Sequence, residues 1–330
     1  MHEIVVNGRF LSRRVTGVER YGREILSLIG SKCRVEKTRG NGLAGHMWEQ
    51  FLLPVRLQSE SLLWSPANTG PLAVHYQALT IHDLSPLEHP EYYKKSFSTW
   101  YRLFLPLMAK KVHVVFTPSR YVERKVMDRF GIQNVIVTPN GVNQACFTPD
   151  ARQTRFDLPK SFILFVGSLQ PRKNIQALLQ AWSRLNEEYP DLWLVMAGDR
   201  GPVFKHPNLT VVDRVHYLGY VPENDLPGLY AKALLFVLPS LDEGFGLPAL
   251  EAMACGTPVI VSDGGALPEV VGDAALIFKS SERDSLTYAI RECLMNEDLS
   301  SSLIASGFER IEYFRWQYSA DLIWKTLNEI

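Results

Sequence analysis

Cysteine is scarce. Cys33, Cys146, Cys255 and Cys293 are the only four in 330 residues, and no two stand at a metal-ligand or redox spacing. That excludes a disulfide framework, and reduced core thiols among apolar neighbours in a cytoplasmic protein are the expectation. Long apolar runs are lacking too. The longest uncharged stretch, Ser61 to His82, is broken by Pro66, Asn68, Gly70, Pro71 and Gln77, so it does not read as a spanning helix. The first residues carry Glu3 and pass directly into the strand-like Ile4–Val6, unlike a secretory signal.

Other absences narrow the function. The net charge is zero, with 35 Lys+Arg against 35 Asp+Glu, which argues against a general nucleic-acid binder. No Asp-x-Asp triplet occurs and no His/Cys/Glu cluster has metal-ligand spacing, so no metal site is expected. The Gly-x-Gly-x-x-Gly dinucleotide fingerprint is missing after the first strand, where Asn7-Gly8-Arg9-Phe10 stands instead. That weighs against a dehydrogenase. There is no internal repeat and no low-complexity segment.

What is present describes a large α/β protein. Hydrophobic residues make up 46% of the chain and charged ones 21%, a soluble globular balance, and the length suits two domains. Charge is unevenly spread: residues 1–150 hold 19 Lys+Arg and 12 Asp+Glu, residues 151–330 hold 16 and 23. The basic half points to an anionic partner, a lipid surface or a phosphorylated acceptor, or else to attraction between two oppositely charged domains.

Short β-branched runs alternate with amphipathic stretches. Ile4–Val6, Ala78–His82, Val112–Thr117 and Val135–Thr138 read as strands in the first half. Phe162–Val166, Leu192–Ala197, Leu234–Leu238 and Val259–Ser262 do so in the second. Helical periods fill Val18–Ile29, Ser119–Phe130, Ile175–Leu185 and Leu286–Leu294. Strand–helix alternation running twice predicts two doubly wound parallel sheets. The boundary reads as a polar, Pro-punctuated linker near residues 143–160, giving domains 1–150 and 151–313. Ligands are then expected at the carboxyl ends of both sheets.

The densest signal runs from Asp242-Glu243-Gly244-Phe245-Gly246-Leu247-Pro248 to Glu251-Ala252-Met253-Ala254-Cys255-Gly256-Thr257-Pro258-Val259. A glycine-bearing loop opens a helix with Pro248 near its first position. The amides of Phe245, Gly246 and Leu247 should face an anion above the helix N-terminus. Two carboxylates flank the loop, Glu243 and Glu251, and a carboxylate can accept two hydroxyl hydrogen bonds, as a ribose or a sugar would offer.

This Glu-x7-Glu pattern resembles the retaining GT-B glycosyltransferases of family 4. The resemblance continues through Gly167-Ser168-Leu169-Gln170-Pro171-Arg172-Lys173-Asn174, Ala197-Gly198-Asp199, Leu218-Gly219-Tyr220-Val221, Pro222-Glu223-Asn224-Asp225-Leu226 and Pro239-Ser240. In the first half Thr16-Gly17-Val18-Glu19-Arg20-Tyr21, Thr117-Pro118-Ser119 and Pro139-Asn140-Gly141-Val142 complete the series. The stretch Leu84-Ser85-Pro86-Leu87-Glu88-His89-Pro90-Glu91 is similar to a branch containing bacterial O-antigen and capsule mannosyltransferases, with His89 read as loop structure.

The resemblance implies an α/β protein of GT-B architecture, two Rossmann-like doubly wound domains facing across a cleft. Residues 1–150 would bind the acceptor, 151–313 the nucleotide-sugar, and a helix within 314–330 would cross back. Arg172 and Lys173 would neutralise the diphosphate leaving group. Glu243 would touch hydroxyls of the donor sugar, Glu251 would hold the ribose, and Tyr220 and Val221 would pack near the base. Gly17 and Val18 would bring backbone amides to the diphosphate, and His82 would lie near the donor sugar and phosphate. The implied reaction is metal-independent hexosyl transfer with retention and no cofactor. The donor would be a nucleotide-diphosphate sugar, GDP favoured over UDP or dTDP, carrying mannose or a rhamnose-like sugar. The acceptor would be a saccharide or lipid-linked molecule at the inner face of the cytoplasmic membrane. A sugar-nucleotide epimerase and a catalytically silent subunit stand as alternatives.

The stretch Tyr92–Lys111 mixes aromatics with cations. Phe97, Trp100, Tyr101, Phe104 and Leu105 recur at helical spacing, first as a core stripe and alternatively as an interfacial face with snorkelling cations. Pro106 should kink this helix. For a membrane contact the contributing cations would be Arg9, Arg13, Arg14, Lys94, Lys95, Lys110 and Lys111.

Overall fold

In the computed structural model, which describes residues 3–38, 40, 42–151, 153–199 and 210–330, the β-branched runs gather into two parallel sheets. The first holds β1 (Ile4–Asn7), β2 (Arg34–Glu36), β3 (Leu62–Ser65), β4 (Gln77–Thr80), β5 (Val114–Thr117) and β6 (Val135–Val137), ordered β2-β1-β3-β4-β5-β6. The second holds β7 (Ser161–Val166), β8 (Leu192–Ala197), β9 (Val215–Gly219), β10 (Leu235–Leu238), β11 (Val259–Ser262) and β12 (Leu276–Phe278), ordered β12-β11-β10-β7-β8-β9. Strands β1, β3, β4, β5, β10 and β11 are buried along their whole length, as parallel strands covered on both faces must be. That burial is why the expected strands among them show no polar–apolar alternation.

Each sheet has one place where the strand order reverses. In the first it lies between β1 and β3, and in the second between β7 and β10. Side chains on the loops leaving these strands meet in the crevice where doubly wound sheets bind ligands.

The chain divides into two compact units, residues 1–88, 95–141 and 315–330 in one, and 89–94 and 142–314 in the other. The expected linker therefore belongs to the second unit from Val142 onward. Its Phe147 is buried and lies 6.1 Å from the Tyr230 ring, so the segment is packed core and not a free tether. The last helix, Trp316–Glu329, belongs to the first unit and lies along the Gly17–Ile29 helix. Tyr21 meets Trp316 edge-on at 6.0 Å, and Ser319 donates to the Pro139 carbonyl at 2.6 Å. A Cβ on Gly141 would sit 2.2 Å from the Trp316 nitrogen, so only glycine permits this approach.

The Lys95–Lys111 helix continues through Pro106, whose missing N–H orphans the carbonyl of exposed Arg102, where water can serve it. Its Tyr101 and Leu105 are buried, and half-buried Phe97, Trp100 and Phe104 pack against the same core cluster, so the aromatic stripe lies on the core as expected. One local expectation needs correction. Cys255 and Cys293 are buried thiols, but Cys146 is exposed and Cys33 half-buried, because both stand just outside regular elements.

Candidate active site

The reversal point of the second sheet collects the charged residues. After β7 the chain makes a tight turn, Pro171–Lys173, that ends at Asn174 with φ +53° before the Ile175–Leu185 helix begins. Asparagine tolerates that left-handed backbone better than most residues. The turn is tied to the loop after β10 by the Leu241 amide donating to the Arg172 carbonyl at 2.8 Å. Arg172, Lys173 and Glu243 are thereby brought together although 70 residues part them, and each is at most 7% exposed. Arg172 Nη1 donates to Glu243 Oε2 at 3.0 Å, Lys173 Nζ pairs with Oε1, and Ser240 Oγ donates to Oε1 at 2.7 Å. Burial alone would push the Glu243 carboxyl up, but Lys173 and Arg172 outweigh it and take it down to about 2. Two buried cations thus share one ionised carboxylate.

Gly246, at φ +99°, caps the Leu247–Ala254 helix, and a Cβ there would lie 2.4 Å from Leu267 Cδ2. Glycine is required on both counts. The side chains of Phe245 and Leu247 turn inward, Phe245 meeting Phe314 edge-on at 5.6 Å, so these two residues can offer a ligand only their backbone. Glu251 lies in the second turn of this helix, buried, with Tyr230 Oη donating to Oε2 at 2.8 Å. Tyr220 directly follows β9 and is exposed, whereas the Val221 side chain is buried.

The first unit brings Gly17, Val18 and His82 to one neighbourhood. Thr16 caps the Gly17–Ile29 helix in a capping box with Glu19. Gly17 has an ordinary helical backbone, and a Cβ on it would meet nothing within 4 Å. Neither packing nor conformation demands glycine there, whereas a ligand lying close to the backbone would. Val18 beside it is half-buried. One turn further on, Tyr21 packs edge-on against His82 at 4.8 Å. His82 lies two residues past the end of β4 and not at the strand end itself, buried, with Nε2 2.8 Å from the Pro66 carbonyl and its amide donating to Asn68 Oδ1 at 2.7 Å. Burial holds its pKa below the usual histidine range, against the opposing pull of the Pro66 carbonyl and Asp83. The ring is therefore neutral, with Nε2–H donated to Pro66 and Nδ1 as the acceptor.

Comparison with known proteins then decides the family. The model for glycosyl transferases group 1 matches residues 147–310, and that for glycosyltransferase family 4 matches residues 72–145. An O-antigen chain mannosyltransferase B of Escherichia coli is 34% identical over 259 residues, spanning 72% of this chain and 66% of the relative. This chain is a family 4 glycosyltransferase. The O-antigen chain mannosyltransferase RfbU of Salmonella typhimurium is 28% identical, spanning 74% of this chain and 68% of the relative. The chain therefore matches about two thirds of the length of either protein. Among solved structures, Anabaena Alr3699/HepE in complex with UDP and glucose aligns over all of both chains with a TM-score of 0.76 at 18% identity. WaaG, a glycosyltransferase involved in lipopolysaccharide biosynthesis, aligns over 97% of this chain and 99% of its own with a TM-score of 0.71 at 14% identity. The fold is GT-B, two Rossmann-like domains.

One polar cluster of this glycosyltransferase escaped the sequence reading. At the β1/β3 reversal, Arg9 Nη1 pairs with Glu49 Oε2 at 2.5 Å and donates to Thr69 Oγ1 at 3.0 Å, while Asn7 Nδ2 donates to Glu49 Oε1 at 2.8 Å. Arg9 and Glu49 are both buried, so Arg9 is no surface cation for a membrane, contrary to the expectation above. Its partner lies 40 residues away, and no spacing rule links them. His46 Nε2 is 2.8 Å from Arg9 Nη2, and burial together with Arg9 and Arg13 lowers its pKa to about 3.

These groups predict an acid-labile fold. His46 and His82 are neutral when folded but take up protons near pH 6.5 when unfolded, so stability should fall as pH drops below about 6.5, continuing toward 3 for His46. Glu243 adds a loss that starts near pH 4.5 and completes near 2, as its depressed carboxyl is finally protonated. Thermal melts from pH 8 to 4 should show a falling Tm, with a shallower slope in His46→Gln. A flat Tm over that range would contradict the neutral buried imidazoles.

Proposed function

We propose that this enzyme transfers a hexose, mannose or a rhamnose-like sugar, from a nucleotide-diphosphate sugar to a saccharide or lipid-linked acceptor in the synthesis of a bacterial surface polysaccharide. The observation that carries the reading is the buried Arg172–Lys173–Glu243 cluster at the β7/β10 reversal, beside the N-terminus of the Leu247–Ala254 helix. Cations and helix amides at one spot suit a diphosphate. That both O-antigen relatives are mannosyltransferases supports mannose, and mannose in turn favours a GDP donor over UDP or dTDP.

In the proposed step the bond from the sugar anomeric carbon to the diphosphate oxygen breaks, and the acceptor hydroxyl oxygen bonds to that carbon on the same face. The acceptor proton passes to the departing phosphate oxygen, so configuration is retained and no side-chain nucleophile is required. Arg172 and Lys173 hold the charge that develops on the nucleoside diphosphate, a task a divalent ion performs in other transferases. Glu243 keeps both cations ionised and in place, and offers an acceptor to a sugar hydroxyl. Glu251, braced by Tyr230, receives the ribose hydroxyls, and exposed Tyr220 lies against the base. In the first unit the groups on offer to a ligand are the Gly17 and Val18 amides and Nδ1 of neutral His82.

The test is turnover of GDP-mannose with mannose-terminated oligosaccharides in the presence of EDTA. Undiminished transfer with an α-configured product is expected. Activity that disappears in chelator and returns with magnesium or manganese would overturn metal independence. Conversion of donor alone into an isomeric sugar nucleotide would identify an epimerase.

A further inference from the structure

Tyr21, on the Gly17–Ile29 helix, is wholly buried and is fastened from two sides besides the one that meets His82. Its hydroxyl oxygen lies 2.8 Å from Thr138 Oγ1, just past β6, and its ring meets the Trp316 ring edge-on at 6.0 Å. Thr138 is itself held, its amide donating to the Thr117 carbonyl at 2.7 Å. The helix backbone is closely seated as well, since a Cβ on Gly22 would lie 2.8 Å from the Phe10 ring. The Tyr21 ring is therefore fixed in place. The His82 ring stands 4.8 Å from it and at 83°, nearly a right angle. On its other side the imidazole is tied by Nε2 to the Pro66 carbonyl at 2.8 Å. The hydroxyl thus anchors the far end of the tyrosine, and the ring is the part that His82 meets.

His82 needs such a neighbour. Among the described residues the charged groups acting on it are two carboxylates, Asp83 next in sequence and Glu19 on the Tyr21 helix. Both draw a proton toward the imidazole, as does the Pro66 carbonyl, and burial opposes all three and prevails. Water admitted to the ring would tip that balance. The imidazole would then protonate, and Nδ1 would carry a hydrogen and cease to be an acceptor. We propose that Tyr21 is a positioning residue: its ring, pinned by Thr138 and Trp316, shields His82 from water and keeps the imidazole on the Pro66 carbonyl, with Nδ1 left as an acceptor for a substrate hydroxyl. Tyr21 itself touches no substrate and acts through His82. Its effect on rate rests on the hexosyl-transfer reading, whereas its effect on the His82 proton does not.

Two substitutions test this: Tyr21→Leu removes the ring, and Tyr21→Phe keeps the ring and gives up only the hydroxyl. NMR titration of the imidazoles in the ligand-free full chain reads the proton directly, with His82 assigned by the signal that His82→Gln removes. In Tyr21→Leu the His82 midpoint should rise toward the ordinary histidine value of about 6.5, while Tyr21→Phe should titrate as the parent does. Transfer of mannose from GDP-mannose gives the second readout. The kcat of Tyr21→Leu relative to the parent should fall a further ~10-fold from about pH 8 to about pH 5.5, the loss of neutral imidazole that a midpoint of about 6.5 entails. For Tyr21→Phe the same ratio should stay flat. Should Tyr21→Leu not fold, Tyr21→Met, which refills more of the volume, carries the same expectations. A ratio lowered equally at every pH, with the His82 midpoint unmoved, would make Tyr21 ordinary core packing and overturn the proposal. A raised midpoint without the acid-side loss of rate would uphold the shield and overturn the part given to Nδ1, so the two failures are told apart.

Discussion

Lys173→Ala should lower kcat by about 100- to 1,000-fold, the usual consequence of removing one group that stabilises developing negative charge in a closed site. Lys173 also pairs with Glu243, so a simple loss of activity would be ambiguous: it could follow from a carboxylate stranded in the interior. A double-mutant cycle separates the two. In a Glu243→Gln background no carboxylate is left to strand, and Lys173→Ala should still cost about the same factor if the ammonium acts on the diphosphate. Arg172→Ala should behave in parallel, with kcat falling more than acceptor affinity. Should Lys173→Ala be harmless once Glu243 is Gln, the lysine serves the carboxylate and not the substrate.

Glu251→Gln should raise the donor KM about 10- to 150-fold with a smaller change in kcat. A hydrogen bond to a charged group is worth about 1.5–3 kcal/mol, and the amide keeps the shape while giving up the charge. Because Tyr230 donates to this carboxylate, Tyr230→Phe is the control. It removes the brace without touching the nucleotide, so it should cost less donor affinity than Glu251→Gln. Equal losses in the two variants would mean that Glu251 acts by holding the helix in place, and the ribose assignment would fall.

Much of the fold was legible because buried parallel strands announce themselves. Ile175–Leu185 and Val259–Ser262 are found at their expected bounds, and Ser119, read as helix, instead caps the Arg120–Phe130 helix by accepting from Val122. What went unread were the short or interrupted strands. β2 and β12 have only three residues each, β3 hides in an apolar stretch already cut by proline and glycine, and β9 is only partly buried. None offers enough alternation or length to stand out.

The candidate site was legible as residues but not as a network. Motif order named Arg172, Lys173 and Glu243 separately, with the cations facing phosphate and the carboxylate facing sugar. That one carboxylate holds both cations follows from the β7/β10 adjacency, which is a property of topology. The Arg9–Glu49 pair was invisible for the same reason. On the Lys95–Lys111 helix the aromatic spacing did mark a core stripe: Tyr101 and Leu105 are buried, and Phe97, Trp100 and Phe104 pack against the same cluster. The exposed pair Leu103 and Leu107 drew no notice, because a leucine gives no sign of which side of its helix is covered.

The central claim is that Arg172 and Lys173 form a diphosphate site that needs no metal, and calorimetric titration of GDP in EDTA addresses it most directly. The account predicts that the parent protein binds GDP far more tightly than GMP, and that Arg172→Ala/Lys173→Ala brings GDP down to the level of GMP, at least about 100-fold weaker. Equal affinity for GDP and GMP in the parent, or a double variant that still binds GDP as the parent does, would contradict it.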